Sequence, residues 1–176
     1  MYIDVPSESL LDRLMRLPDP RKRRGRRYPL GGVLGMLVLG AVHDAKSLRA
    51  MWIWARQHWG EIKLPLGFVG NGRPPAYTAV WYMLEALDAD ALEEVYEQWV
   101  AGWPTEQLPV RGESIKGMWQ SQKSDSLQRV LDVVTALGRE LRLILAWQGQ
   151  YWGEQTDAAL RVLCAMPLHS QMVLRA

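Results

Sequence analysis

Residues 30–42 read LGGVLGMLVLGAV, thirteen consecutive residues from Leu30 to Val42 without a charged or hydrogen-bonding side chain. As a helix this run spans about 20 Å of a hydrocarbon core roughly 30 Å thick, so it cannot cross a membrane. Apolar on every side, it reads instead as a helix enclosed by other helices. Gly31, Gly35 and Gly40 each lower its intrinsic helicity by about 1 kcal/mol relative to alanine, a cost that closely packed neighbours offset. The glycines lack the lysine and the spacing of a Walker loop, which argues against a phosphate-binding turn.

On the amino-terminal side, Ser7 or Ser9 caps a short helix whose stripe is Leu10, Leu11, Leu14 and Met15, and Pro18 and Pro20 stop it near Leu17. Between that helix and the apolar run lies Arg21-Lys22-Arg23-Arg24-Gly25-Arg26-Arg27, in which six of seven residues are basic. On the carboxyl-terminal side, Ser47 caps a helix with Leu48, Met51, Trp52, Ala55 and Trp59 on its inner stripe, while Ile53 and Trp54 lie off it beside Arg49 and Arg56. Trp54 is assigned to packing. Residues 60–76, with four glycines and three prolines, read as a long loop. Thr78 is the expected cap of the next helix, with Val80, Met83, Leu84 and Leu87 on one face. Asp88 or Asp90 opens another, with Leu92, Val95, Tyr96, Trp99, Val100 and Trp103 inward and Glu93, Glu94 and Glu97 on a solvated acidic face.

From Leu108 the pattern changes to period two. Pro109 to Lys116 reads as a strand, residues 127–147 as an antiparallel hairpin turning at Gly138, and Ala159, Val162, Leu163 and Met166 as a helix stopped by Pro167. A final strand begins at Met172. The expected fold class is therefore α+β, with an all-α domain over 1–105 and an incomplete α/β half-domain over 108–176. A sheet with one short helix leaves faces and edges uncovered.

Charge is spread unevenly along the 176 residues, whose net charge is +2. Residues 1–30 carry a net +4 and residues 88–107 a net −6. The density at 21–27 resembles an anion-binding arm, with nucleic acid as the partner to test. Nine tryptophans imply a large buried aromatic area, at about 150–250 Å² per ring. The single cysteine, Cys164, excludes an internal disulfide and any multi-cysteine zinc site, and it reads as a small apolar group. His43, His58 and His169 lack metal-ligand spacing, and no nucleophile triad is signalled. The acidic amino terminus does not read as a secretory signal, so a cytoplasmic location is expected.

Several segments in series resemble bacterial insertion-sequence transposases of the H-repeat-associated, DDE type. They are LLDRLMRLPDPRKRRGRRYPL at 10–30, VLGMLVLGAVHDAKSLRAMWIWARQHW at 33–59, PPAYTAVWYMLEALD at 74–88, RGESIKG at 111–117 and VLDVVTALGRELRLILAW at 130–147. The resemblance implies a helical amino-terminal domain followed by a ribonuclease-H-like domain in which three acids bind magnesium. The family pattern at the first strand is Asp-Gly-Lys with an Arg-Gly pair nearby. Gly112, Ile115, Lys116 and Gly117 keep it, but Arg111 stands at the position of the acid and Glu113 at that of the lysine. The second acid would fall near Ala176 and the third beyond it. A guanidinium neither coordinates magnesium nor loses its charge, so no catalytic or metal residue and no cofactor are assigned.

Two functions follow as expectations. The first is a truncated, catalytically inactive transposase-family protein that binds DNA through Arg21, Lys22, Arg23, Arg24, Arg26, Arg27, Arg49 and Arg56. The second is an interaction module that associates through open sheet edges with copies of itself or with a full-length transposase, and inhibits it.

Overall fold

A computed structural model describes residues 8–70, 72–102, 126–147 and 155–164. These residues form eight α-helices: α1 (Leu10–Met15), α2 (Leu30–Val42), α3 (Leu48–Gln57), α4 (Trp59–Ile62), α5 (Tyr77–Ala86), α6 (Ala89–Ala101), α7 (Ser126–Trp147) and α8 (Gln155–Cys164). All thirteen residues of α2 are buried, as the sequence requires. The helix runs through the middle of the bundle and touches α1, α3, α7 and α8.

The glycines of α2 mark where its neighbours come closest. A Cβ on Gly31 would lie 2.6 Å from the Met15 backbone nitrogen, and one on Gly40 would lie 2.9 Å from the Met51 Cα. Either would force a neighbouring backbone away.

Three caps follow the expected chemistry. Ser9 accepts from the Asp12 amide, Ser47 from the Ala50 amide, and Asp88 from the amides of Asp90 and Ala91. The cap at Thr78 does not form. The cap position falls two residues earlier, at Ala76, and has no side-chain cap bond; Pro74-Pro75 delivers the chain extended, and the Trp52 indole donates to the Pro75 carbonyl (2.9 Å). The loop expected over 60–76 is also partly ordered into structure: Trp59 leaves the α3 stripe to open α4, and Leu66 and Phe68 pack into the core across Gly67, whose φ is +86°.

The hairpin expected at 127–147 is a single helix of 22 residues. Alternation was satisfied by Leu131, Val133, Leu141, Leu143 and Leu145, but Val130, Val133, Val134, Leu137, Leu141, Ile144 and Leu145 also recur at helical spacing, and all seven are buried, whereas Leu131 and Leu143 of the alternating set are only partly so. Gly138, read as a turn, is the point where α7 crosses α2: a Cβ there would lie 2.5 Å from the Ala41 Cβ. No strand occurs among the described residues, and the Pro109–Lys116 strand, the Met172 strand, Arg111, Glu113 and the 105–108 boundary lie outside them. The ribonuclease-H-like half-domain is thus not seen in the described part of 108–176.

Helices α6 and α7 are joined by polar contacts within this apolar setting. Arg129 reaches Asp90 (2.5 Å) and Glu93 (2.8 Å), so Glu93 belongs to an inter-helix contact and not to the solvated face expected for it. Deeper in, the Tyr96 hydroxyl donates to Glu140 (3.1 Å), with both residues buried. Burial, then the Glu140 charge, push the Tyr96 phenol upward from its ordinary value. No described helix is long and apolar enough to cross a membrane.

Candidate nucleic-acid interface

The basic arm leaves α1 through Pro18-Asp19-Pro20 and folds back on itself. Asp19 accepts from the Arg21 amide (3.0 Å), from Arg21 Nε (2.9 Å) and from Arg21 Nη2 (2.7 Å). The same guanidinium donates to the carbonyls of Gly25 (3.0 Å) and Tyr28 (2.7 Å), closing the loop across its own base. Arg26 completes the closure by donating to the carbonyls of Arg21 and Asp19, each at 3.0 Å. Between these two arginines, Arg23–Gly25 make one 3-10 turn. The Arg21 hydrogen bond outweighs desolvation and holds the Asp19 carboxyl below the usual carboxylate value.

Geometry therefore divides the arm's cations into two groups by what their donors reach. Arg21, with only 13% of its side chain exposed, faces inward onto the loop backbone, and Arg26, though 48% exposed, also turns its donors to loop carbonyls. Lys22, Arg23, Arg24 and Arg27 are exposed, and the first three make no ion pair among the described residues.

The arm is fixed to the rest of the molecule by Tyr28. Its hydroxyl donates to the Arg73 carbonyl (2.9 Å), and its ring meets Phe68 edge-on at 6.0 Å. Two residues further on, the Pro75 carbonyl accepts from Trp52 of α3. Two residues of chain span at most about 7 Å, so the arm and the outer face of α3 adjoin across Arg73–Pro75. On that face Arg49 lies over the Tyr77 ring (5.7 Å), Tyr77 meets Trp52 edge-on (5.7 Å), and Arg56 lies over Trp52 (5.4 Å). The two rings hold the guanidinium groups in place through cation–π attraction. Arg73 is exposed between them and the arm.

The residues singled out from sequence are thus placed as follows. Lys22, Arg23, Arg24 and Arg27 of the arm and Arg49 and Arg56 of α3 are exposed on adjoining surfaces, whereas Arg21 and Arg26 serve the loop. Sequence reading missed Asp19 and Arg73. The first was legible as an acid two residues before a basic run; the second is an isolated cation in a glycine- and proline-rich loop and carries no local signal.

His43 and His58 have structural surroundings, and His169 lies outside the described residues. Trp54 stacks on His43 (4.5 Å) and on His58 (4.3 Å), in keeping with its assignment to packing. His43 Nδ1 donates to the Leu39 carbonyl (2.8 Å), which leaves Nε2 of the neutral ring to accept from Thr156 (3.3 Å). Burial is the main reason its pKa is lowered. Cys164 sits half-buried on α8, its thiol pushed up to about 11 by burial, an inert apolar group as expected. Among the described residues no three His, Cys, Asp or Glu side chains converge to hold a metal ion.

Comparison with known proteins places this arrangement. No curated protein and no solved structure matches the chain. The family described as DDE_Tnp_1-associated matches residues 11–100, from the first turn of α1 to the end of α6, just over half of the 176 residues. That span holds the basic arm, the enclosed helix α2 and the cation–aromatic face of α3, and the chain belongs to the DDE_Tnp_1-associated family, the amino-terminal domain that accompanies DDE-type transposases.

Proposed function

We propose that this protein of the transposase family binds the DNA backbone in the cytoplasm and does not cut it. The observation that carries the reading is the adjacency of two cationic surfaces, the arm and the outer face of α3, joined through Tyr28–Arg73 and Trp52–Pro75. Lys22, Arg23, Arg24, Arg27, Arg49 and Arg56 are the proposed phosphate contacts, with Arg73 between them. Guanidinium and ammonium groups on a folded scaffold supply affinity and orientation; base readout needs other groups, and none is assigned.

Six phosphate contacts give a slope of log K against log salt near −5 on duplex DNA. A salt series with a short random-sequence duplex measures it. Binding that stays flat from low to moderate salt would sink the proposal. Replacing Arg49 and Arg56 by Ala is expected to reduce the slope by about 2 while the fold, read by circular dichroism, is kept.

The non-cutting part of the reading rests on Arg111. Two-metal phosphoryl transfer needs carboxylates converging on hard cations, and a permanent positive charge at the first of those positions repels them. The acid set required for magnesium does not fit the residues present at the family's first motif. Incubation of supercoiled DNA with magnesium and the purified protein is expected to leave it intact; accumulation of nicked circles that depends on the protein refutes this part alone.

The alternative reading, an interaction module pairing through open sheet edges, has no support among the described residues, which contain no strand.

A further inference from the structure

Removing an acid from the middle of a cationic surface ordinarily strengthens its hold on a polyanion. Asp19 is the one acid between Asp12 and Asp44 in the sequence, and it lies at the base of the arm. Its carboxylate has a bidentate grip on the Arg21 guanidinium, with Oδ1 to Nε at 2.9 Å and Oδ2 to Nη2 at 2.7 Å, and only 16% of its side chain is exposed. Arg21 is thereby turned inward to the carbonyls of Gly25 and Tyr28, and Arg26 to those of Asp19 and Arg21. Four backbone carbonyls of a loop with little regular structure are satisfied by two arginine side chains, whose orientation depends on one carboxylate.

Building on the DNA-binding reading, we propose that Asp19 is the positioning residue of the basic arm: it spends the charges of Arg21 and Arg26 on closing the loop, so that Lys22, Arg23 and Arg24 stand on a preset turn as a phosphate grip. Phosphate contact belongs to the turn, and Arg21 acts through the loop. A flexible run of six cations would have to have its backbone ordered at the moment of binding; the closed loop has met that part of the cost in folding. The bidentate fork also explains the residue type, since a lysine at 21 cannot reach Asp19, Gly25 and Tyr28 at once.

The test compares variants of the full chain on a random-sequence duplex and, without DNA, under limited trypsin. Asp19→Asn is expected to weaken binding about tenfold although it removes a negative charge, and Asp19→Glu to restore part of the loss. Arg21→Lys, which conserves charge, is expected to weaken binding with the salt slope unchanged, whereas Arg24→Ala lowers the slope by about 1. Without DNA, Asp19→Asn is expected to speed cleavage after Arg23 and Arg24, which the closed turn protects. Equal or tighter DNA binding by Asp19→Asn, or cleavage no faster than in the parent chain, overturns the proposal. Faster cleavage in a protein that binds no duplex in any variant keeps the clasp and removes the DNA-binding reading beneath it.

Discussion

Gly138 shows how a single residue type carries opposite meanings at two levels. In an isolated helix its replacement by alanine is stabilising by about 1 kcal/mol. Here the added methyl would stand 2.5 Å from the Ala41 Cβ, so overpacking dominates and Gly138→Ala is expected to lose about 1–3 kcal/mol, read from urea denaturation. Tyr96→Phe is expected to cost a similar about 1–3 kcal/mol, because it leaves the buried Glu140 without the hydroxyl that donates to it. His43 adds a pH dependence whose sign follows from its lowered pKa. In the window between the folded value and 6.5 the unfolded chain binds the extra proton, so stability rises with pH and falls on acidification below about 6.5. Thermal melts from pH 7.5 to 5.5 are expected to show the loss, and His43→Asn to flatten it.

Among the elements, those whose ends are written in side-chain chemistry were legible from the sequence. Ser9, Ser47 and Asp88 cap as their residue types demand, and the uniform apolarity of Leu30 to Val42 fixes α2 at the centre. Where two periods fit the same residues, the sequence did not decide. Val133, Leu141 and Leu145 belong both to an alternating set and to the stripe through Val130, Val134, Leu137 and Ile144; the glycine between them reads as a turn until the groove beside Ala41 is known. Tertiary packing against α2 makes the choice, and a local rule cannot see it. The same limit applies to the interface: the arm and α3 were visible separately, but their adjacency runs through Arg73–Pro75, whose role depends on two hydrogen bonds to residues 45 and 23 positions away. Amide hydrogen exchange of the full chain tests α7 directly. Continuous protection from Val130 to Leu145 is expected, whereas a strand pair would show protection alternating along each arm with a break at Gly138.

For the molecule as a whole, α6 and α7 are fastened at two depths, by Arg129 to Asp90 and Glu93 at the surface and by Tyr96 to Glu140 within. The outer contact is partly solvated, so Arg129→Met is expected to lower stability by only about 0.5–1 kcal/mol in chemical denaturation. Charge is spread unevenly over the family domain: cations gather around the arm and α3, while Asp90 and Glu93 of α6 engage Arg129 of α7.

Because α2 is enclosed on every side, no subset of its partners suffices to keep it from water. A shortened chain ending at residue 105 would retain the whole span matched by the family yet strip α7 and α8 from α2. Val38, Ala41 and Val42 lie in that inner run, and the bare furrow between them would make the shortened protein sticky: it is expected to elute as aggregates on gel filtration where the 176-residue chain runs as a discrete species.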